Sequence, residues 1–319
     1  MDVACLGILV ADIFASPIDA LPAAGQISLT EGFVLGAGGC ATNTAACLSR
    51  LGRQVKVLGK VGSDFFGDFV LKDLKRLGAD TSGVLRSQTD QTSGTMILNV
   101  KGQDRRYVHC IGANADFSYG DIDLSVLDDV RVLYVGGYLA MPRFGGGDLA
   151  QLFRQAKERS LITVLDVVAP PGLSFSESHL AAMLAHTDVF LPNDDEAFAM
   201  SSLRDPRDQL DFFARANPSC DVVITQGSRG ALARRGAEVI QVGTYPVRSV
   251  DGSGAGDAFA AGFITGLLES WSLEETLRFA SAVGGSCTQA LGCINGVFHF
   301  DEARAYVAEQ PLRIQRLSS

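Results

Sequence analysis

The stretch Val250-Asp251-Gly252-Ser253-Gly254-Ala255-Gly256-Asp257-Ala258-Phe259 joins an apolar β-like run to a glycine-rich turn and then to a helix. Glycine lets the backbone turn tightly, so successive N–H groups and the positive end of a helix beginning near Asp257 can converge on one phosphoryl group or oxyanion. A carboxylate at the mouth of such a site can take a proton from an attacking hydroxyl. Standing alone, the stretch would read as an ordinary strand-to-helix turn with Asp257 in the first helical turn. Companion motifs elsewhere in the chain decide for the anion site.

Apolar β-like runs at Val3–Val10, Val55–Val61, Val132–Val135, Ile162–Val167, Val189–Leu191 and Val222–Thr225 alternate with segments of helical length. Helical patterns fall at Gly39–Leu51, Phe65–Leu77, Gly147–Arg159, Ala258–Leu268 and Leu273–Thr288, the last opened by a Ser272/Glu275 capping box. Such alternation predicts parallel βαβ units, and continuous Val/Leu/Ile runs suit strands covered on both faces. The expected class is therefore α/β: three layers, α/β/α, around a mostly parallel central sheet. The C-terminal part reads largely as helices. Two segments break the pattern, Ile13–Leu35 and Thr92–Ile111, the second reading as a hairpin that turns at Lys101-Gly102-Gln103-Asp104.

Further polar motifs sit at the ends of apolar runs. Asp12 follows the first run, and Gly38-Gly39-Cys40-Ala41-Thr42-Asn43 opens the first helix. An ionised carboxylate accepts from two hydroxyls, an amide offers donor and acceptor, and glycine permits close backbone approach, which together suit a polyol. Taken singly, Asp12 is a turn residue and Asn43 a polar helix residue. Asn193-Asp194-Asp195-Glu196 follows Val189-Phe190-Leu191, and Thr225-Gln226-Gly227-Ser228-Arg229-Gly230 follows Val222-Val223-Ile224. The C-terminal edge of an open α/β sheet is where ligands bind, so these motifs can face one cleft. Read singly they are a helix cap with a solvated acid, and a turn before the next strand. Gly36-x-Gly38-x-x-Ala41 matches a dinucleotide fingerprint only weakly: a long insertion separates it from the first strand, and the second strand leads to Lys60 and Val61 rather than to an acid.

Together these residues resemble the ribokinase-like carbohydrate kinases, the PfkB family, whose late signature reads approximately Asp-Thr-x-Gly-Ala-Gly-Asp-x-Phe. The resemblance spans almost the whole chain and implies the ribokinase-like fold: a large α/β domain (1–11, 37–91 and 117–319) and a small β-sheet lid (12–36 and 92–116) that often forms a dimer contact. It assigns Asp257 as catalytic base, the amides of Gly254, Ala255 and Gly256 as anion hole, and Asp12, Gly38, Gly39 and Asn43 as sugar contacts. Asn193 and Glu196 would influence magnesium and phosphate, and Thr225, Gly227 and Gly230 would contact the nucleotide. Asp251, Ser253 and carbonyls near Gly292 resemble a monovalent-cation site that potassium fills in many relatives. The implied cofactors are ATP and Mg2+, with K+ as activator; the sugar hydroxyl attacks the γ-phosphorus as Asp257 takes its proton. Departures are Gly252 where the family carries Thr, Cys40 where ribokinases proper carry Lys, and Gly136-Gly137 where they place an acidic sugar contact.

Gly112-Ala113-Asn114-Ala115 resembles a segment of ribokinase and fructokinase-like members, which favours a neutral monosaccharide. Arg105, Arg106 and Arg143, turned inward, would instead hold the phosphate or carboxylate of a phosphosugar or sugar acid, and Phe14, Phe33 or Tyr138 would stack on a nucleoside. A non-catalytic sugar or nucleotide sensor is the reading from another class. A chain of 319 residues, 47% hydrophobic and 20% charged, can bury a large core. Its net charge of −9 disfavours nucleic acid or an anionic membrane as partner. Seven cysteines without a Cys-x-x-Cys pair fit reduced thiols in the cytoplasm.

Overall fold

The computed structural model describes residues 1–103, 106–170 and 175–317. Its first half contains β1 (Val3–Gly7), β2 (Val10–Ala15), β3 (Phe33–Gly38), α1 (Cys40–Arg50), β4 (Val55–Gly62), α2 (Phe65–Arg76), β5 (Asp80–Ser87), β6 (Gly94–Leu98) and β7 (Arg106–Cys110). The α/β units continue through β8 (Val132–Gly136), α3 (Gly146–Glu158), β9 (Ile162–Leu165), α4 (Glu177–Leu184), β10 (Val189–Phe190), α5 (Asp194–Ser201) and α6 (Pro206–Ala216). Then come β11 (Asp221–Thr225), β12 (Ala231–Arg235), β13 (Glu238–Val242), α7 (Ala255–Leu268), α8 (Leu273–Cys287), α9 (Phe300–Glu309) and β14 (Ile314–Leu317).

A ten-stranded sheet runs in the order β14-β13-β12-β11-β10-β9-β8-β1-β4-β5. From β11 to β5 every pairing is parallel, while β12, β13 and β14 add an antiparallel edge. Along β1, Val3 and Cys5 pack into one apolar layer with α1, α2, α7 and α8, and Ala4 and Leu6 into the other with α3 to α6. Successive side chains of a strand point to opposite faces, so burial on both sides requires the unbroken apolar run that the sequence displays. Helix α7 is buried along nearly its whole length, which its Ala/Gly/Phe composition permits.

The run Val3–Val10, expected as one strand, is two. β1 stops at Gly7, whose φ of 149° has a Cβ position only 2.0 Å from the Gly136 carbonyl oxygen, and Val10 opens β2 in a second sheet. That second, four-stranded sheet has the order β3-β2-β6-β7 and carries the predicted hairpin as β6 and β7. Asp104 and Arg105, at the hairpin's turn, lie outside the described residues. Asn114 fixes the break between sheets: its Oδ1 accepts from the Leu9 N–H and its Nδ2 donates to the Leu9 carbonyl, both at 3.1 Å. The Gly112–Ala115 segment thus spends its amide on the backbone. No described helix is long and apolar enough to cross a membrane.

Candidate active site

The helix at the glycine-rich loop begins earlier than Asp257. Gly254 is its N-cap at φ 74°, α7 starts at Ala255, and Asp257 occupies the third helical position. The residues before the loop, 243–250, are not a strand; Val250 and Asp251 donate their N–H groups to the Thr288 carbonyl instead. The apolar β-like run expected before the glycine-rich turn is therefore absent as a strand. The first-turn amides of Gly256 and Asp257 have no intrahelical acceptor, whereas the Ala255 N–H donates to the Gly252 carbonyl at 3.4 Å. A Cβ at Gly254 would sit 2.4 Å from the Cys293 carbonyl oxygen, whereas at Gly256 nothing lies within 4 Å. Gly254 is therefore required by the fold, and Gly256 leaves room on the ligand side.

Asp257 meets the sequence-predicted polyol residues across the interface of α1 and α7. Its Oδ2 accepts from Asn43 Nδ2 at 2.8 Å, while Asn43 Oδ1 is buried without a partner. Asp12, on β2, is 6% exposed, and its Oδ2 fills the space where a Gly38 side chain would be, at 1.9 Å from that Cβ position. Gly39 caps α1 at φ 90° with its Cβ position 2.5 Å from the Ile8 carbonyl oxygen. Burial pushes the Asp257 carboxyl up to about 6, moderated by hydrogen bonds from Asn43 and the Cys40 thiol and reinforced by the charge of Asp12. Burial likewise lifts Asp12 to about 6 against a hydrogen bond from Thr95.

A cavity of about 160 Å³ joins Asp257 and the Gly254–Gly256 turn to Cys40, Asp166, Asn193, Glu196 and Thr225. Asn193 and Glu196 form a reciprocal cap on α5, each side chain accepting from the other's N–H at 2.8 Å. Glu196 nevertheless faces the cavity, and burial raises its carboxyl to about 7. Thr225 bridges to Asn193, and Arg229 pairs with Asp194, so the two strand-end motifs abut. Gly230 at φ 95° is demanded by the Val242 carbonyl 1.9 Å from its Cβ position; Gly227 at φ 55° faces open space. Both glycines and Thr225 line an adjoining pocket of about 550 Å³, walled by Tyr245, Val247, Phe259 and Gly284, which also reaches Gly256.

Sequence reasoning missed Asp166, which accepts from the buried Tyr134 hydroxyl at 2.8 Å and is raised strongly by burial, with the charges of Glu196 and Asp257 adding to the effect. It lies inside the expected run Ile162–Val167, and only the strand's end at Leu165 in the structure sets it at the sheet edge with the other motifs. The Cys40 thiol was also overlooked as a neighbour of the Asp257 and Asp166 carboxylates, with ligand atoms within 4.8 Å of one another. Asp251 binds the Ser253 and Gly292 amides at 2.9 Å each, tying the glycine-rich turn to the 292 loop. Phe14 and Tyr138 are buried in packing, 3% and 2% exposed, rather than presented for stacking.

The sequence model described as pfkB family carbohydrate kinase matches residues 1–299. The chain belongs to the PfkB family. Among its curated relatives are a ribokinase of Bacillus subtilis, 28% identical with 88% of this chain and 90% of the relative covered, and a 5-dehydro-2-deoxygluconokinase of Clostridium perfringens, 27% identical with 82% and 83% covered. The Arabidopsis thaliana ribokinase solved with ribose and ATP shares the fold, at TM-score 0.81, 22% identity, and coverage of 96% of this chain and 98% of that one. A candidate ribokinase II from E. coli solved with ATP and magnesium is similar at TM-score 0.79, 21% identity, and coverage of 96% and 99%. This PfkB protein is accordingly a sugar kinase, a phosphotransferase with a hydroxyl acceptor, and its fold is the ribokinase-like one.

Proposed function

We propose that this PfkB kinase transfers the γ-phosphoryl group of ATP to a hydroxyl of a neutral monosaccharide, with Asp257 as general base. One observation carries the reading: a half-buried carboxylate, raised to about 6 and held by Asn43, lies beside the N-terminal turn of α7, whose Gly256 and Asp257 amides lack an intrahelical acceptor, in a cavity continuous with a pocket large enough for a nucleotide. Asp12 and the unfilled Asn43 Oδ1 accept from the sugar, which orients the attacking hydroxyl toward Asp257. Asp257 takes the proton as the bond to phosphorus forms, and the amides of the Gly254–Gly256 turn stabilise charge on the transferring group. Thr225, Gly227 and Gly230 border the nucleotide's pocket.

Carboxylates suit a hard cation, and Asp166 and Glu196 beside the cavity are the groups that would hold Mg2+, which neutralises phosphate charge when bound. Asp251 and Ser253 are the proposed potassium site, comparable in the same assay with sodium. A phosphosugar acceptor is disfavoured because Arg106 and Arg143, the described arginines that would hold a second anion, pair with Gln103 and Asp116 instead, as Lys60 pairs with Asp116 and Asp121. Lys60 bonds Asp116 at 3.0 Å and Asp121 at 3.1 Å, Arg143 bonds Asp116 at 2.5 Å, and Arg106 bonds Gln103 at 2.6 Å. Arg105 lies outside the described residues. ADP release that requires a neutral sugar, measured over monosaccharides, sugar acids, sugar phosphates and nucleosides, is the expected result; binding without turnover would identify a sensor instead.

The small sheet is also the proposed dimer contact. Opposite the face carrying Asp12, the cross-strand row Leu35–Ile13–Met96–Val108 is wholly apolar, and Met96 and Val108 are 49% and 59% exposed. Met96→Glu is expected to convert a dimer to a monomer in light scattering. An unchanged mass would exclude this face.

A further inference from the structure

Three polar residues lie side by side on the inner face of the small sheet. Asp12 on β2 is in register with Thr95 on β6, and Thr95 with His109 on β7, so their side chains share one face. Asp12 and Thr95 are cross-strand partners, the Thr95 hydroxyl holds the Asp12 carboxyl down against burial, and Thr95 Oγ1 lies 3.0 Å from His109 Nδ1. A hydroxyl has one proton. An ionised Asp12 can only accept, so Thr95 donates to it and must accept from His109, which places the imidazole proton on Nδ1. Nε2 is then a bare acceptor, and it has no partner among the described residues.

We infer that Asp12, Thr95 and His109 form a hydroxyl-reading strip, in which His109 positions Asp12 through Thr95 and offers Nε2 to a further hydroxyl of the acceptor. This inference deepens the kinase reading and rests on it for the identity of the acceptor. Its chemical consequence is selectivity. A lone-pair acceptor beside a carboxylate accepts from alcohols and repels the carboxylate or phosphate of a charged acceptor. Partial burial holds the His109 ring below its usual value, which favours the neutral ring.

The test measures binding by calorimetry without ATP, and ADP release with ATP, using D-ribose, D-fructose and 2-dehydro-3-deoxygluconate as probes. Wild-type protein is expected to favour a neutral sugar over the acid. His109→Leu should raise the dissociation constant and KM of that sugar about tenfold, the size of one hydrogen bond, with KM for ATP unchanged. His109→Asn, whose Nδ2–H replaces Nδ1–H but which offers nothing in place of Nε2, should recover only the part of the loss that comes from the orientation of Asp12. His109→Lys should move preference toward the acid. Unchanged sugar affinity in His109→Leu, loss without recovery in His109→Asn, or a wild type that binds only the acid or none of the three overturns the strip. Should the neutral sugar bind, respond to His109→Leu and yet give no ADP, the strip stands and the kinase reading falls.

Discussion

Asp257→Asn is expected to lose on the order of 10²–10⁴-fold in turnover, the usual contribution of a positioned general base, while ATP affinity stays within about twofold. Asparagine keeps the shape and an oxygen for the Asn43 amide but cannot take a proton. The same substitution should stabilise the fold, with a definite pH dependence. Burial raises the carboxyl from 3.8 to about 6, so the folded state holds a proton that the unfolded chain releases, and wild-type stability drops as pH rises through that window. The variant lacks this loss. Its advantage should be small at pH 4 and reach roughly 2–3 kcal/mol near pH 7, as read from urea unfolding. Wild-type kcat/KM should climb with pH through about 6 and then level. Near-normal turnover in the variant, or a stability difference flat in pH, contradicts the assignment.

Substitutions at Gly254 and Gly256 should separate folding from chemistry. Gly254→Ala forces a side chain onto a φ of 74° and against the Cys293 carbonyl 2.4 Å away. Unfolding should become easier by about 1–3 kcal/mol, and the displaced first-turn amides should cost about 10²–10³-fold in turnover. Gly256→Ala meets nothing within 4 Å and lies inside the first turn of α7. Alanine is the better helix former, so stability should hold or rise by up to about 1 kcal/mol. Turnover should nevertheless fall by a comparable factor, because the methyl group occupies space that borders both the transfer cavity and the nucleotide pocket. A fully active Gly256→Ala protein would mean that no phosphoryl group approaches this turn.

Much of the architecture was legible because parallel strands buried on both faces are mostly apolar, as β1 and β8 are and as β4 and β11 are apart from Lys56, Lys60 and the terminal Asp221 and Thr225. The edge was not. β12 ends in Arg234 and Arg235 and β14 is the short run Ile314–Leu317, and such strands carry the polar content of exposed edges rather than a core pattern. The break between β1 and β2 was hidden for the opposite reason: Ile8 and Leu9 are as apolar as the strands they separate, and the chain turns on the close approach of Gly7 to Gly136. At the site, motifs with glycine or paired polar residues announced themselves. Asp166 did not, since it stands as a single acid inside an apolar run until the fold ends the strand at Leu165 and sets it beside Glu196 and Asp257. Cross-strand partners such as Thr95 and His109 depend on register, which no local pattern states.

The most direct test is a crystal structure with ADP, magnesium, an aluminium fluoride mimic of the transferring group and a sugar that supports turnover. The account predicts the acceptor hydroxyl within about 2.6–3.2 Å of an Asp257 carboxylate oxygen, in line with the mimic, whose fluorines rest on the amides of the Gly254–Gly256 turn. An acceptor oxygen bonded to Asp12 alone, with Asp257 turned away from the mimic, would contradict it.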